Sequence, residues 1–262
     1  DAPMLGVEKE YVDYGLLAKK IFVIMEKMVF RKVRIIITHS RWSERILTKN
    51  YHVNPGKIVM FPNPCPIKKM DAASEEDVQH RMITLPIRLL AVGRDYYGKG
   101  MDIAIQATQL LNSMGYPTTL TICGMSGVSE LETIKFMGRY QKKRPDEYRA
   151  YLSHFFKAHL LIHATRYDAS PIVTSEAAAF GLPVITNYVG GVGTSVLDGI
   201  TGVVLPSKST PEKYAEAVLN LYFSPEEYSL MALNTWKRFH AELNWDEAGS
   251  FFNTVLQSVE AI

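Results

Sequence analysis

The chain has little of what marks several large function classes. Only two cysteines, Cys65 and Cys123, stand among 262 residues, in different segments and without metal-type spacing. That excludes a disulfide scaffold and makes a reducing compartment the simpler setting. The seven histidines are scattered, and no metal site is expected. A net charge of +2 argues against nucleic acid as the main partner, because a basic face skews the balance further. No basic start followed by an apolar core opens the chain at DAPMLGVEKEY, so no secretory signal is read there. The most apolar early run, IFVIMEKMVF, is broken by Glu26 and Lys27 and is too short to span a bilayer. Internal repeats and low-complexity segments are absent. The glycine-bracketed loop GRDYYGKG lacks the G-x-G-x-x-G order, and its Lys99 is followed by Gly rather than Ser or Thr. A dehydrogenase fingerprint and a Walker motif are therefore both disfavoured.

What is present is an alternation of helical and strand patterns in an ordinary globular composition, 47% hydrophobic and 21% charged. Residues 8–33 read as a helix, with Leu16, Leu17, Ile21, Ile24, Met28 and Val29 at helical spacing. A strand at 34–38, a helix at 42–49 and a strand in KIVMFPNP follow. From 64 to 86 the composition turns polar, with KKMDAASEEDVQH in the middle, and reads as a linker. A second alternating unit starts at Ile87: strand RLLAV (88–92), the loop 93–100, a helix over 101–114, and strands at 119–123 and 134–137. A helix from Pro145 leads into the buried strand HLLIH (159–163), whose His159 and His163 read as core residues. The tail is helical, with one helix from Pro211, a second with a capping box at Ser224-Pro225-Glu226-Glu227, and a last one after Trp245.

Strands alternating with helices predict a parallel, doubly wound sheet, and such sheets bind ligands at the carboxyl ends of their strands. Those ends are Gly93-Arg94, Gly124, Gly138-Arg139 and the loop 164–176. The last opens the stretch Arg166 to Pro206 on which the chain is organised. Ser170 reads as an N-cap with Pro171 at the first helical position. Ile172 and Val173 then present free N–H groups at a positive helix end, a ready anion site. Asp168 lies just before that end, and Glu176 about 9 Å further along the helix axis. Glu176 is flanked by Ala177, Ala178, Ala179 and Phe180, and a charge in so apolar a helix needs a partner. Arg94 and Lys99, five apart in the first loop, are placed to put two positive charges on a diphosphate. Gly190-Gly191 is a turn able to approach a phosphate or sugar closely.

The Asp168-x7-Glu176 spacing, the run EAAAFGLPVIT, the Gly190-Gly191 turn and the tail DGITGVVLP resemble the C-terminal half-site of retaining glycosyltransferases of the GT-B fold. This is the nucleotide-sugar-dependent "group 1" family with its E-x7-E motif. The segment THSRWSERILTKNYHVNPGKIVMFPNP resembles the end of the N-terminal Rossmann-like domain of the same family. Three departures stand out: Asp168 replaces the first Glu, Ser170-Pro171 stands where the family often has Phe-Gly, and Thr194-Ser195 stands where an acid often follows the glycine pair.

The resemblance implies an α/β fold: a Rossmann-like doubly wound parallel sheet, the GT-B C-terminal domain, plus a partial second Rossmann-like domain. Residues 1–63 would be the remnant of the N-terminal acceptor domain, 64–86 the linker, 87–240 the nucleotide-sugar domain, and 241–262 a terminal helix packing back toward the N-terminal part. It further implies retaining transfer of a hexose from a nucleotide-diphosphate sugar to an acceptor hydroxyl, in polysaccharide or glycoconjugate synthesis. Arg94, Lys99 and the helix start at Ser170, Pro171, Ile172 and Val173 would meet the diphosphate. Asp168 would hold the sugar, Glu176 the ribose, and Gly93, Gly124, Gly138 and Arg139 would frame the nucleotide. No cofactor or metal is expected. The partners would be a nucleotide-sugar donor and a sugar or lipid-linked acceptor, in the cytoplasm, with a membrane surface reached only through residues absent from the chain. Two other readings stay open at this point: a non-catalytic nucleotide-sugar-binding module and a nucleotide-sugar epimerase of similar fold.

Overall fold

In the computed structural model, which describes residue 3 and residues 15–260, the chain runs from helix α1 (Leu16–Lys32). Residues 8–14 of the expected first helix lie outside the described residues. Strand β1 (Ile36–Thr38), helix α2 (Arg41–Lys49) and strand β2 (Ile58–Met60) follow, and the two strands pair in parallel with Ile36 opposite Ile58. Ser40 caps α2 by accepting the Ser43 N–H at 3.2 Å. Val23 and Phe30 of α1 pack onto Leu47, Tyr51 and Val53. Leu17, Ile24 and Met28 of α1 are exposed.

The polar stretch 64–86 carries a short 3-10 turn, Lys69–Asp71, and helix α3 (Glu75–Gln79). A capping box forms here: Ser74 accepts the Asp77 N–H, and Asp77 accepts the Ser74 N–H. Val78 is fully buried, and the Trp236 indole donates to the Ala73 carbonyl at 2.8 Å.

The remaining strands are β3 (Ile87–Val92), β4 (Thr118–Cys123), β5 (Ile134–Phe136), β6 (Leu160–His163), β7 (Val184–Asn187) and β8 (Gly202–Leu205). They form one parallel sheet in the order β5-β4-β3-β6-β7-β8. Between and after them lie α4 (Met101–Ser113), α5 (Pro145–Lys157), α6 (Ile172–Ala178), α7 (Val192–Ser195), α8 (Pro211–Tyr222), α9 (Pro225–Ala241) and α10 (Trp245–Glu260). Alternate strand residues feed opposite faces, as the pleat requires. Leu89 and Ala91 pack with Ala107 and Leu111 of α4 and Val218 of α8, whereas Leu90 packs with Phe155, Ala177 and Phe239 on the other side. Covered on both faces, the strands read as continuous apolar runs. The expected doubly wound α/β sheet is present.

The strand order turns back between β3 and β6, which opens a crevice at their carboxyl ends. At the tail, the expected capping box at Ser224 does not form: its side chain makes no cap bond, and its φ of −124° and ψ of 68° lie off the extended conformation that capping uses. Phe251 and Phe252 of α10 lie 4.7 and 5.8 Å from the ring of Phe61, just after β2. The Cys65 N–H bonds to Leu243 O at 2.9 Å, so the end of the chain is held against its early part.

Candidate active site

Three loops meet at the crevice, and protein contacts fix their shape. Loop 93–100 follows β3, and loop 164–171 follows β6. Gly100 has φ +66°, and a Cβ there would lie 1.9 Å from Ala164 O, so only glycine lets the two loops touch. Gly98 O accepts from Thr165 Oγ1 at 3.1 Å and from the Arg166 N–H at 2.9 Å. Arg166 then forks onto Asp102 at 2.9 and 2.7 Å and stacks on Tyr97. Gly190 closes the far side: its φ is +49°, and a Cβ would lie 2.1 Å from Asp168 O. The Gly191 N–H donates to that same oxygen at 2.9 Å. The close approach of the Gly190-Gly191 turn is thus to the Asp168–Ala169 backbone.

The crevice is a cleft of about 320 Å³. Gly93, Arg94 and Lys99 line it from the first loop, and Gly124 and Arg139 from the ends of β4 and β5. Asp168, Pro171, Ile172 and Val173 line the opposite wall. Among the described residues Arg94 and Arg139 form no ion pair, so their charge is available to the cleft. Gly138, Ser170 and Glu176 are not among the residues that line it. Gly138 turns the chain at φ +71° and accepts the Gly124 N–H at 2.8 Å. The helix starts one residue later than Ser170-Pro171 predicts: Pro171 is the N-cap and Ile172 the first helical residue. The cause is local, because Asp168 Oδ1 takes the Ser170 N–H at 3.3 Å in a turn that holds Ser170 outside the helix.

Two carboxylates each meet one lysine. Lys99 Nζ lies 2.5 Å from Asp168 Oδ2, and His163 Nε2 lies 3.5 Å from the same oxygen. Burial pushes the Asp168 carboxyl up, but the interactions with His163 and Lys99 outweigh it and hold the carboxyl down at about 2. Glu176, 3% exposed, sets Oε1 against Lys142 Nζ at 2.5 Å and accepts the Tyr151 hydroxyl on Oε2 at 2.7 Å. The Lys142 ammonium also sits 4.2 Å from the centre of the Tyr151 ring. Burial, and then the Glu176 charge, push the Tyr151 phenol far up, so it stays a donor.

Lys142, Tyr151 and His163 all line the cleft, and sequence reasoning singled out none of them for the site. The apolar surroundings of Glu176 did announce that a partner had to exist. His163 is a correction: it is buried as expected, but it faces the cleft beside Asp168. His159, four residues back on the strand, bonds through Nδ1 to the Arg88 N–H at 3.1 Å. Burial, with Arg88 and Arg81 nearby, lowers His159 to about 3. The two imidazoles do not converge on one site.

A family profile described as glycosyl transferases group 1 matches residues 86–223, more than half of the 262 residues. A glycogen synthase of Mycobacterium tuberculosis is 27% identical over 237 residues, covering 88% of this chain and 55% of that enzyme. The chain therefore spans about half the length of that curated relative. Among solved structures, a sucrose-phosphate synthase from Thermosynechococcus elongatus superposes with a TM-score of 0.73 at 21% identity, over 98% of this chain and 66% of that one. Anabaena HepE in complex with UDP-glucose gives 0.70 at 14% identity, over 97% and 70%. These likenesses carry the GT-B fold. No helix among the described residues is long and apolar enough to cross a membrane.

Proposed function

The chain belongs to the group 1 glycosyl transferases, and from that premise we propose that its cleft binds a nucleotide-diphosphate sugar and serves transfer of the sugar, a hexose, to an acceptor hydroxyl. The observation that carries this reading is the pairing of Arg94 and Lys99 on the loop after β3 with Asp168 and the start of α6 on the facing wall. The diphosphate would lie between the cations, whose charge stabilises the leaving group as the bond to the anomeric carbon breaks. The electron pair of that bond goes to the departing diphosphate, and the acceptor oxygen forms the new bond and passes its proton to the departing phosphate oxygen. Side chains supply the positive charge, so the reading invokes no metal. Asp168 would accept from sugar hydroxyls, and Glu176 would hold the ribose edge through the Lys142–Tyr151 cluster. Retention of anomeric configuration is proposed from the family motif. Two free, buried thiols, both raised by burial to about 12, support a reducing compartment, and we place the protein in the cytoplasm.

The test is thermal unfolding against UDP, GDP, ADP and their sugar conjugates. A ligand at 100 times its dissociation constant adds about 2.7 kcal/mol to stability. One base should shift the midpoint, and Arg94→Ala should remove the shift. No shift with any of these nucleotides would contradict the reading.

A further inference from the structure

His163 ends β6 with its side chain in the cleft and is only 2% exposed. Among the described residues, its Nε2 has no hydrogen-bond partner. A buried polar nitrogen left unpaired is costly, and an apolar side chain of the same size would fill the space without that cost. The nearest acceptor is Asp168 Oδ2, at 3.5 Å, and Lys99 already holds that oxygen at 2.5 Å.

The donor reading above, on which this inference rests, asks two things of the same pair. Lys99 must meet a diphosphate while Asp168 faces a sugar. Locked together, the two charges cancel, and neither is fully available to a ligand. When a diphosphate draws Lys99 away, Asp168 is left as a largely buried carboxylate in need of a donor. Among the described residues, His163 is the one that stands beside Asp168 Oδ2 with a nitrogen that makes no hydrogen bond.

We propose that His163 is a positioning residue that takes over Asp168 when Lys99 turns to the diphosphate. Its Nε2–H donates to Oδ2 across a gap closed from 3.5 Å, keeping the carboxylate ionised and aimed at the sugar. His163 acts through Asp168 and touches no reacting atom. In the empty cleft it stands second to Lys99, at 3.5 Å from Asp168 Oδ2; in the loaded cleft it completes the site.

The experiment titrates wild type, His163→Leu and His163→Gln with UDP, ADP and GDP and with the matching monophosphates. His163→Leu should bind the preferred diphosphate about tenfold more weakly, the scale of one charge-assisted hydrogen bond, and the monophosphate as before. His163→Gln, whose amide N–H falls near the place of Nε2, should recover most of the loss. Without nucleotide, His163→Leu should melt close to wild type, because Lys99 still holds Asp168 Oδ2 at 2.5 Å. Unchanged diphosphate binding in His163→Leu overturns the proposal. So does an equal loss for both nucleotides with a lowered melting temperature, which is what a purely structural histidine gives. A wild type that binds none of the three diphosphates strikes the donor reading itself, whereas unchanged binding in the variant beside a binding wild type strikes only this inference.

Discussion

Asp168 and Glu176 each close on one lysine ammonium at 2.5 Å, yet their surroundings differ. Asp168 sits on a loop that two glycine contacts press into place, with a partly exposed lysine at 2.5 Å and an imidazole at 3.5 Å beside it. Glu176 sits in a helix among alanines, with both carboxylate oxygens bound, one to Lys142 and one to Tyr151. Asp168 likewise has both oxygens engaged, by the Ser170 N–H and by Lys99. Each carboxylate oxygen keeps a second lone pair, so both acids can still accept a hydroxyl donor. What differs is the second neighbour: an imidazole 3.5 Å from Asp168 Oδ2, against a phenol already donating to Glu176 Oε2.

Substitutions should separate the halves. Lys142→Ala strips the counter-charge from a carboxylate that is 3% exposed, and denaturant unfolding should show a loss of about 2–3 kcal/mol, below the range for a fully buried pair because the Lys142 side chain is half-exposed. Lys99→Ala should weigh differently. Its stability should fall by less, about 1–2 kcal/mol, because His163 remains 3.5 Å from Asp168 Oδ2, while calorimetry should find nucleoside-diphosphate affinity down roughly thirtyfold. A stability loss as large as that of Lys142→Ala would erase the contrast.

Acid titration sharpens it further. The Asp168 carboxyl is held at about 2, below its ordinary 3.8, so its stabilisation is complete above the ordinary value and is lost as pH falls through the lower one. Between about pH 5 and pH 2, wild type should lose ~2 kcal/mol more than Asp168→Asn. Equal acid slopes would mean that Lys99 and His163 do not stabilise the charge. The smallest effect serves as a control away from both halves: Ser74→Ala breaks the capping box of α3 and should cost about 1 kcal/mol without moving nucleotide affinity.

The parallel sheet was legible because strands buried on both faces are written as apolar runs between helical periods, as RLLAV and HLLIH are. The places where loops meet were legible for the same reason, since they follow strand ends. The partners were not. Lys142 lies 34 residues before Glu176 in a loop without periodicity, and no spacing rule links them. His163 looked like core because burial was the only signal in its strand. Its neighbour Asp168 reaches it through loop curvature that Gly100 and Gly190 impose. The helix start slipped by one residue because Asp168 captures the Ser170 N–H. Capping boxes show the limit of pattern reading. Ser74-x-x-Asp77 forms one inside an expected linker, and Ser224 fails to form one where the pattern was recognised, because its backbone is turned away.

The most direct measurement is a calorimetric titration of wild type, Lys99→Ala and Glu176→Ala with the preferred nucleoside diphosphate, its nucleoside and its 2′,3′-dideoxy form. The account predicts that Lys99→Ala removes the advantage of the diphosphate over the nucleoside and leaves the penalty for the missing ribose hydroxyls intact. Glu176→Ala should do the reverse. Equal binding of the ribo and dideoxy forms by wild type, or a dideoxy penalty that survives in Glu176→Ala, would contradict the division of the cleft between the two carboxylates.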